Sequence, residues 1–347
     1  MLAQGDIRSY VGPITIALSL TRHTLMILVA TLRTQSRYGK PPRVMAAMLS
    51  LAVTVLLVAG VRPAAGQTLD DGVMIAPHQL RSTVTYGRET WDQYWEGTVK
   101  RSNGNIGTIT TRSATWMGAY GLTRRASLLA TLPYVWTEAS QGVLRGMQGR
   151  QDLTVAVKYR LAEMSLAERV AVRVLAVGGV GSPTSDYTPD FLPLSIGLHD
   201  RQALARAGVY AKDRTGLFLD GWAGHVWRGS VQLDRPAYYT NGQLVESHDV
   251  AMPEVSTYSA SVGFQRGRLC LPVGISAQRT LGGGDIRRQD APFVSNRMDF
   301  TKAHAELMYI LPTAPSIQVE LGLARTLRGR NVGEGTSFTV GVTHIRR

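Results

Sequence analysis

From Gln151 to Leu161 the chain reads QDLTVAVKYRL, with Leu153, Val155, Val157 and Tyr159 on one parity and Asp152, Lys158 and Arg160 on the other. A strand points successive side chains to opposite faces, so this alternation calls for one apolar and one polar environment. The pattern recurs. Leu128, Ala130, Leu132, Tyr134 and Trp136 share a parity, and Val170, Val172 and Val174 stand opposite Arg173. Tyr258 to Phe264, Leu269 to Ala277, Ala303 to Tyr309 (facing away from Lys302, His304 and Glu306) and Ile317 to Leu323 (facing away from Glu320) repeat it. In 106–120 the alternation is ambiguous, and in 78–91 it is weak.

Twelve strands are expected: 78–91, 106–120, 126–137, 151–162, 168–180, 200–211, 216–229, 253–264, 269–281, 297–311, 316–328 and 336–346. Their connections alternate in length. The stretches 92–105, 138–150, 181–199, 230–252, 282–296 and 329–335 are read as the long set, and 121–125, 163–167, 212–215, 265–268 and 312–315 as the short set. Outer-membrane barrels have short turns at one end, long loops at the other and an even strand count. Sandwiches use Greek-key connections instead.

Either a soluble core or lipid could receive the apolar face. The N-terminal segment bears on the choice. Arg37, Lys40 and Arg43 precede an apolar run from Met48 to Val61, and Ala64 and Gly66 place small residues before Gln67. That is the layout of a secretory signal. Residues 1–66 are therefore read as leader and signal peptide, with Met45 a candidate true start, and 67–347 as the barrel. Aromatic residues near strand ends (Tyr120, Tyr134, Trp136, Tyr159, Trp227, Tyr309) suit interfacial girdles. The expected fold is all-β, a single antiparallel up-and-down transmembrane barrel of about twelve strands. The expected location is the outer membrane of a Gram-negative-type bacterium.

The formal charge of +13 resembles a nucleic-acid signal, but residues 1–66 hold seven Lys/Arg and one acid, which leaves +7 on the remainder. No aromatic RNA-binding signature or Cys/His finger accompanies it, so no nucleic-acid partner is expected. The single cysteine, Cys270, excludes an intrachain disulfide framework. Nucleotide-binding and hydrolase motifs are absent, and no catalytic residue, cofactor or metal is expected. His199–Asp200 and His248–Asp249 read as solvated loop pairs and Gly282–Asp285 as a loop tip.

By parity the lumen lining comprises Asp152, Lys158, Arg160, Arg173, Arg206, Lys302, His304, Glu306 and Glu320. Such charges bias solute choice in a pore or fill a closed lumen. Twelve strands allow both. Arg228, Arg279, Arg297, Arg328 and Arg330, with Arg287 and Arg288, fall at or beyond outer strand ends. Of these, Arg279, Arg328 and Arg330 are the expected contacts to lipopolysaccharide phosphates, since guanidinium groups bind phosphate bidentately.

Residues 116–162, WMGAYGLTRRASLLATLPYVWTEAS followed by GRQDLTVAVKYRLAE, resemble a family of outer-membrane barrels labelled meta-pathway phenol-degradation or "transporter" proteins. The matching blocks are Tyr120–Ser127, Leu132–Tyr134, Asp152–Leu153 and Lys158–Arg160, with Gln151 replacing a family glycine. The resemblance covers about a third of the chain. It implies a barrel passing small hydrophobic compounds and transfers no catalytic residue.

The leading functional expectation is a passive outer-membrane channel for small solutes, hydrophobic or anionic. The alternatives are a structural or adhesive barrel and an outer-membrane lipid-modifying enzyme.

Overall fold

The structure is a computed structural model that describes residues 68–240, 242–286 and 292–346. The leader and signal segment, Arg287 and Arg288 lie outside the described residues.

Twelve long strands build the wall: β1 (Leu80–Trp91), β2 (Ile109–Gly121), β3 (Ala126–Ala139), β4 (Asp152–Leu166), β5 (Val170–Pro183), β6 (Gln202–Asp213), β7 (Leu217–Arg228), β8 (Val255–Arg266), β9 (Leu269–Thr280), β10 (Asp299–Ile310), β11 (Ile317–Arg330) and β12 (Thr336–Arg346). Each pairs antiparallel with its sequence neighbours. β1 also pairs with β12, in register from Leu80↔Arg346 to Thr90↔Thr336. The sheet therefore closes and leaves no exposed edge, which lets a strand assembly satisfy its backbone in lipid.

All twelve expected strands are present, with ends shifted by a few residues. Their tight turns carry local caps. Asp213 Oδ1 accepts the amides of Gly216 (2.8 Å) and Leu217 (2.9 Å) between β6 and β7. Gly267, at φ 57°, makes the reversal between β8 and β9 in a conformation that costs L side chains energy. The long connections contain short hairpins, Gln93–Glu96 with Val99–Ser102, Ser230–Gln232 with Asp249–Ala251, and Tyr238–Thr240 with Gln243–Val245.

The outward face is an apolar surface that no other described residue covers. Val84, Val157, Tyr159, Val262, Val273, Ile275 and Leu323 are all exposed. For Val157 and Tyr159 this resolves the alternation of the QDLTVAVKYRL stretch: the apolar parity looks out, and Lys158, 1% exposed, looks in.

Two bulges interrupt the pleat. Leu161 is skipped in the β4–β5 ladder and Leu327 in the β10–β11 ladder. An extra residue re-aims the side chains beyond it. The first bulge brings Arg160 and Glu163 to the same inward face, where they form an ion pair.

The inward face is more apolar than the alternation suggests. Leu129, Ala156, Leu175, Val177, Leu204, Tyr210, Phe218 and Trp222 pack into one buried cluster inside the barrel. Ile75, Leu69 and Met74 belong to the same cluster. Residues 68–79 form no wall strand. They turn inward from the short-turn end, where the amide of His78 donates to Gly121 O at 2.8 Å, and run into the lumen.

Candidate functional site

The lumen is organised around this inward segment. Lys158 Nζ, from the middle of β4, donates to Thr68 O (2.6 Å), Asp71 O (2.9 Å) and Asp71 Oδ1 (3.0 Å). Arg206 from β6 pairs with Asp70. Arg173 from β5 reaches Gly72 O at 3.4 Å and Glu163 at 2.8 Å. Three cations of the lumen wall thus hold two acids and three carbonyls of one short segment. A buried ammonium needs such compensation, since an unpaired charge removed from water costs several kcal/mol.

Glycine permits the close approach. A Cβ on Gly72 would lie 2.0 Å from Tyr210 Cγ, so any side chain there would displace the segment from the wall. Trp222 lies against Gly208 in the same way, where a Cβ would be 2.2 Å from Trp222 Cδ2. The Lys158 ammonium sits 5.7 Å from the Trp222 ring centre. Cation, ring and glycine come from three wall strands, β4, β7 and β6.

Two spaces flank the segment. A mid-lumen cavity of about 420 Å³ lies between residues 68–73 and the wall of β2, β3 and β6 to β10, with Phe218, Met308 and Leu129 as apolar lining and Asp220, Ser259, His304 and Glu306 among its polar lining. A vestibule of about 990 Å³ opens at the short-turn end. Arg81, Arg160, Arg173 and Lys212 line its depth, and Arg124, Arg169 and Arg214 its mouth. Val73 to Pro77 give it an apolar side.

The remaining expected lumen residues also point inward, each with its own role. Lys302 pairs with Glu89 at 3.1 Å. Glu320 accepts from Gln318 Nε2 (2.8 Å) and Thr343 Oγ1 (2.6 Å). His304 and Glu306 border the mid-lumen cavity. Arg160 borders the vestibule.

Asp152 lies at the long-loop end and accepts from Tyr187 Oη at 2.6 Å, and Tyr187 Oη accepts the His199 amide at 2.8 Å. This tether folds the 184–199 loop inward, where Tyr187 and Ile196 pack on Val135. Val231, Val250, Met252, Phe293 and Val294, joined by Leu192 and Leu198, form a second apolar cluster among the long loops.

Apart from Arg297, which pairs with Asp299 at 3.0 Å, the expected outer rim separates into three groups. Arg228 points inward, not to the rim: it has the parity of buried Trp222 and Val226. Its charge acts on Asp200, whose carboxyl burial pushes up to about 6. Arg330 is held bidentately by Asp285, with both N–O distances 2.7 Å. That hydrogen bonding holds the Asp285 carboxyl below its usual range. The sequence reading took Asp285 for a loop tip; it is a tether, and Asn331 Nδ2 also donates to it at 2.9 Å. Arg279 and Arg328 lie on the outward face, on either side of Thr301. Arg279 Nη2 reaches Thr301 Oγ1 at 3.3 Å, and Arg328 pairs with Thr301 across the β10–β11 ladder.

Residues 68–79 had no functional place in the sequence reading. The acid pair Asp70–Asp71, next to a barrel with a basic inner face, was the available signal.

No family model matches the chain, and no curated protein matches it either. Among solved structures it is similar to an outer membrane channel from Pseudomonas putida F1, with 16% identity over 80% of this chain and 100% of that one, TM-score 0.63. It is also similar to the NanC porin, with 10% identity over 75% and 98% of the two chains, TM-score 0.41. A Pseudomonas aeruginosa FadL homologue shows 10% identity over 82% and 98%, TM-score 0.37. The first likeness shows that the fold is that of an outer-membrane β-barrel.

Proposed function

We propose that this chain is an outer-membrane channel for passive passage of small apolar or anionic solutes, occluded at rest by its own residues 68–79. One observation carries the reading. The lumen is not filled by wall side chains: space of about 420 Å³ remains beside a segment held by ion pairs and hydrogen bonds. Protein interiors are otherwise packed with few voids larger than a water molecule. The apolar outward face supports insertion in a bilayer. The basic vestibule supports anions on the short-turn side. The likeness to an outer membrane channel supports passage, and the YGLT-turn resemblance supports small hydrophobic compounds of the phenol-degradation type. No catalytic residue is assigned.

Refolded protein in planar bilayers tests this. Discrete conductance steps are expected, and deletion of residues 68–76 should enlarge them several-fold. A barrel silent in both forms would return the reading to a structural or adhesive one.

Lipid is the proposed partner at the loop end. Arg279 and Arg328 present two guanidinium groups on the lipid-facing side, within two residues of the strand ends, where outer-leaflet phosphates would lie. Arg330, engaged by Asp285, is a weaker candidate for the same lipopolysaccharide phosphates.

A further inference from the structure

The vestibule at the short-turn end holds more positive charge than its acids offset. Seven cations and two acids line it. One of the acids, Asp213, already caps the β6–β7 turn through the amides of Gly216 and Leu217. In its depth, Arg160, Arg173 and Lys212 come from the adjacent strands β4, β5 and β6. Arg160 is in register with Leu175, two residues from Arg173, and Arg173 is in register with Tyr210, two residues from Lys212. Each cation is thus a diagonal neighbour of the next on the inward face, within reach of long side chains.

The ion pairs there do not balance. Arg160 and Arg173 share one carboxylate, that of Glu163, each taking one of its oxygens. Lys212 has no ion pair among the described residues. Its Nζ donates to Gln265 Oε1 at 2.8 Å, an atom that also accepts from Tyr210 Oη at 3.1 Å. Arg173 uses Nε for Glu163 and Nη1 for Gly72 O, which leaves Nη2 without a partner among the described residues. Another part of the lining is apolar: Val73 to Pro77 of the inward segment, with Ile310 and Ile345 of the wall. The volume of about 990 Å³ lies at the upper end of the range for small-molecule sites, about 300–1,000 Å³. A hydrocarbon alone would leave the surplus charge unmet, and an inorganic anion would leave the apolar side in water.

We propose that the vestibule is a binding site for a small organic carboxylate with an apolar body, its head between Lys212 Nζ and Arg173 Nη2 and its body against Val73 to Pro77. Charge-assisted hydrogen bonds to the carboxylate are roughly twice as strong as neutral ones. This deepens the channel reading by naming an anion class, and rests on that reading for the site's place on a route across the barrel.

Cyclohexanecarboxylate, cyclohexylmethanol and cyclohexylmethylamine share one body and differ in head, and acetate supplies the head alone. Binding to the refolded full chain in non-ionic detergent would be followed by saturation-transfer NMR and calorimetry at pH 7, with empty micelles subtracted. The cyclic carboxylate should bind saturably and at least tenfold tighter than the alcohol, the amine or acetate. Lys212→Met should weaken it at least fivefold, with the heat-modifiable gel shift of a folded barrel intact. Arg266→Gln removes a charge from the same end, at an exposed residue outside the vestibule, and should leave affinity within twofold. If Lys212→Met fails to fold, the ranking of the four probes on the unaltered chain carries the test. An alcohol or acetate that binds as tightly as the cyclic carboxylate overturns the proposal. So does a folded Lys212→Met variant with unchanged affinity, or an equal loss in Arg266→Gln. A barrel that binds the carboxylate but never conducts would overturn the channel reading alone. One that conducts without head-group preference would overturn this site alone.

Discussion

Lys158 Nζ and Asp71 Oδ1 stand 3.0 Å apart inside the barrel, and the same ammonium also donates to the carbonyls of Thr68 and Asp71. The pair joins the middle of a wall strand to a segment lying 87 residues earlier in the chain. Asp71 is 16% exposed at its side chain and Lys158 only 1%, so water contributes little on the lysine side.

Removing one partner of a buried pair typically costs about 3–5 kcal/mol, because the other charge is left uncompensated. Lys158→Met should therefore loosen residues 68–76. Faster proteolysis within residues 68–76 and larger conductance steps are the expected results. Asp71→Ala should act in the same direction, and the double variant should fall short of the sum of the two. Additive effects would separate the residues energetically despite their distance.

The lipid face gives a prediction by parity. Val262 looks outward and is exposed, while Ser261 lines the cavity. Arginine at the bilayer midplane costs about 2–4 kcal/mol on a lipid face. Val262→Arg should reduce folding into bilayers, measured by the heat-modifiable gel shift, whereas Ser261→Arg can pair with Asp220 and should fold. Equal yields would contradict the assigned faces.

Much of this arrangement was legible in the sequence. In β4 the alternation gave the inward set Asp152, Lys158 and Arg160 because lipid tolerates no charge on the other face. It failed in β2, where Trp116 looks out but Met117 and Ala119 look in: with apolar residues on both faces, period 2 disappears. Leu161 and Leu327 concealed their bulges because a skipped apolar residue leaves the hydropathy pattern unmarked. The partners of Lys158 and Arg206 were not legible by any periodicity. They lie on a segment that is neither strand nor helix and is held by its carbonyls as much as by its side chains. Arg228 was misplaced for a different reason: its distance along β7 was right, and its parity was overlooked.

Asp200 gives a pH prediction. Burial raises its carboxyl from 3.8 to about 6, against the pull of Arg228 and His199, while Asp152 adds to the rise. The folded loop then binds a proton more tightly than the unfolded chain. Stability is therefore gained below the folded value and lost as pH rises from about 4 to about 6, on the order of 2–3 kcal/mol. Melting temperatures read from the gel shift should be higher at pH 4.5 than at 7.5 by an increment that Asp200→Asn abolishes. An increment of the same size in that variant would assign the dependence to other groups.

The lipid contact is tested by substitution in two sets. Arg279→Gln with Arg328→Gln should lower the lipopolysaccharide that co-purifies, with the gel shift unchanged. Arg330→Gln should leave lipid content near normal and instead free the 281–286 stretch to proteolysis, since Asp285 loses its bidentate partner. Lipid content that falls only in the Arg330 variant would reverse the assignment.

The inward course of residues 68–79 also determines what can open the lumen. An occluder tethered to the wall by a short span faces its site at an effective concentration in the millimolar range, whatever the number of barrels in the membrane. Dilution cannot remove it, and no second protein has to be made in proportion. A solute that displaces it must outcompete a neighbour that never diffuses away, so weakly bound molecules at trace levels leave the barrel shut.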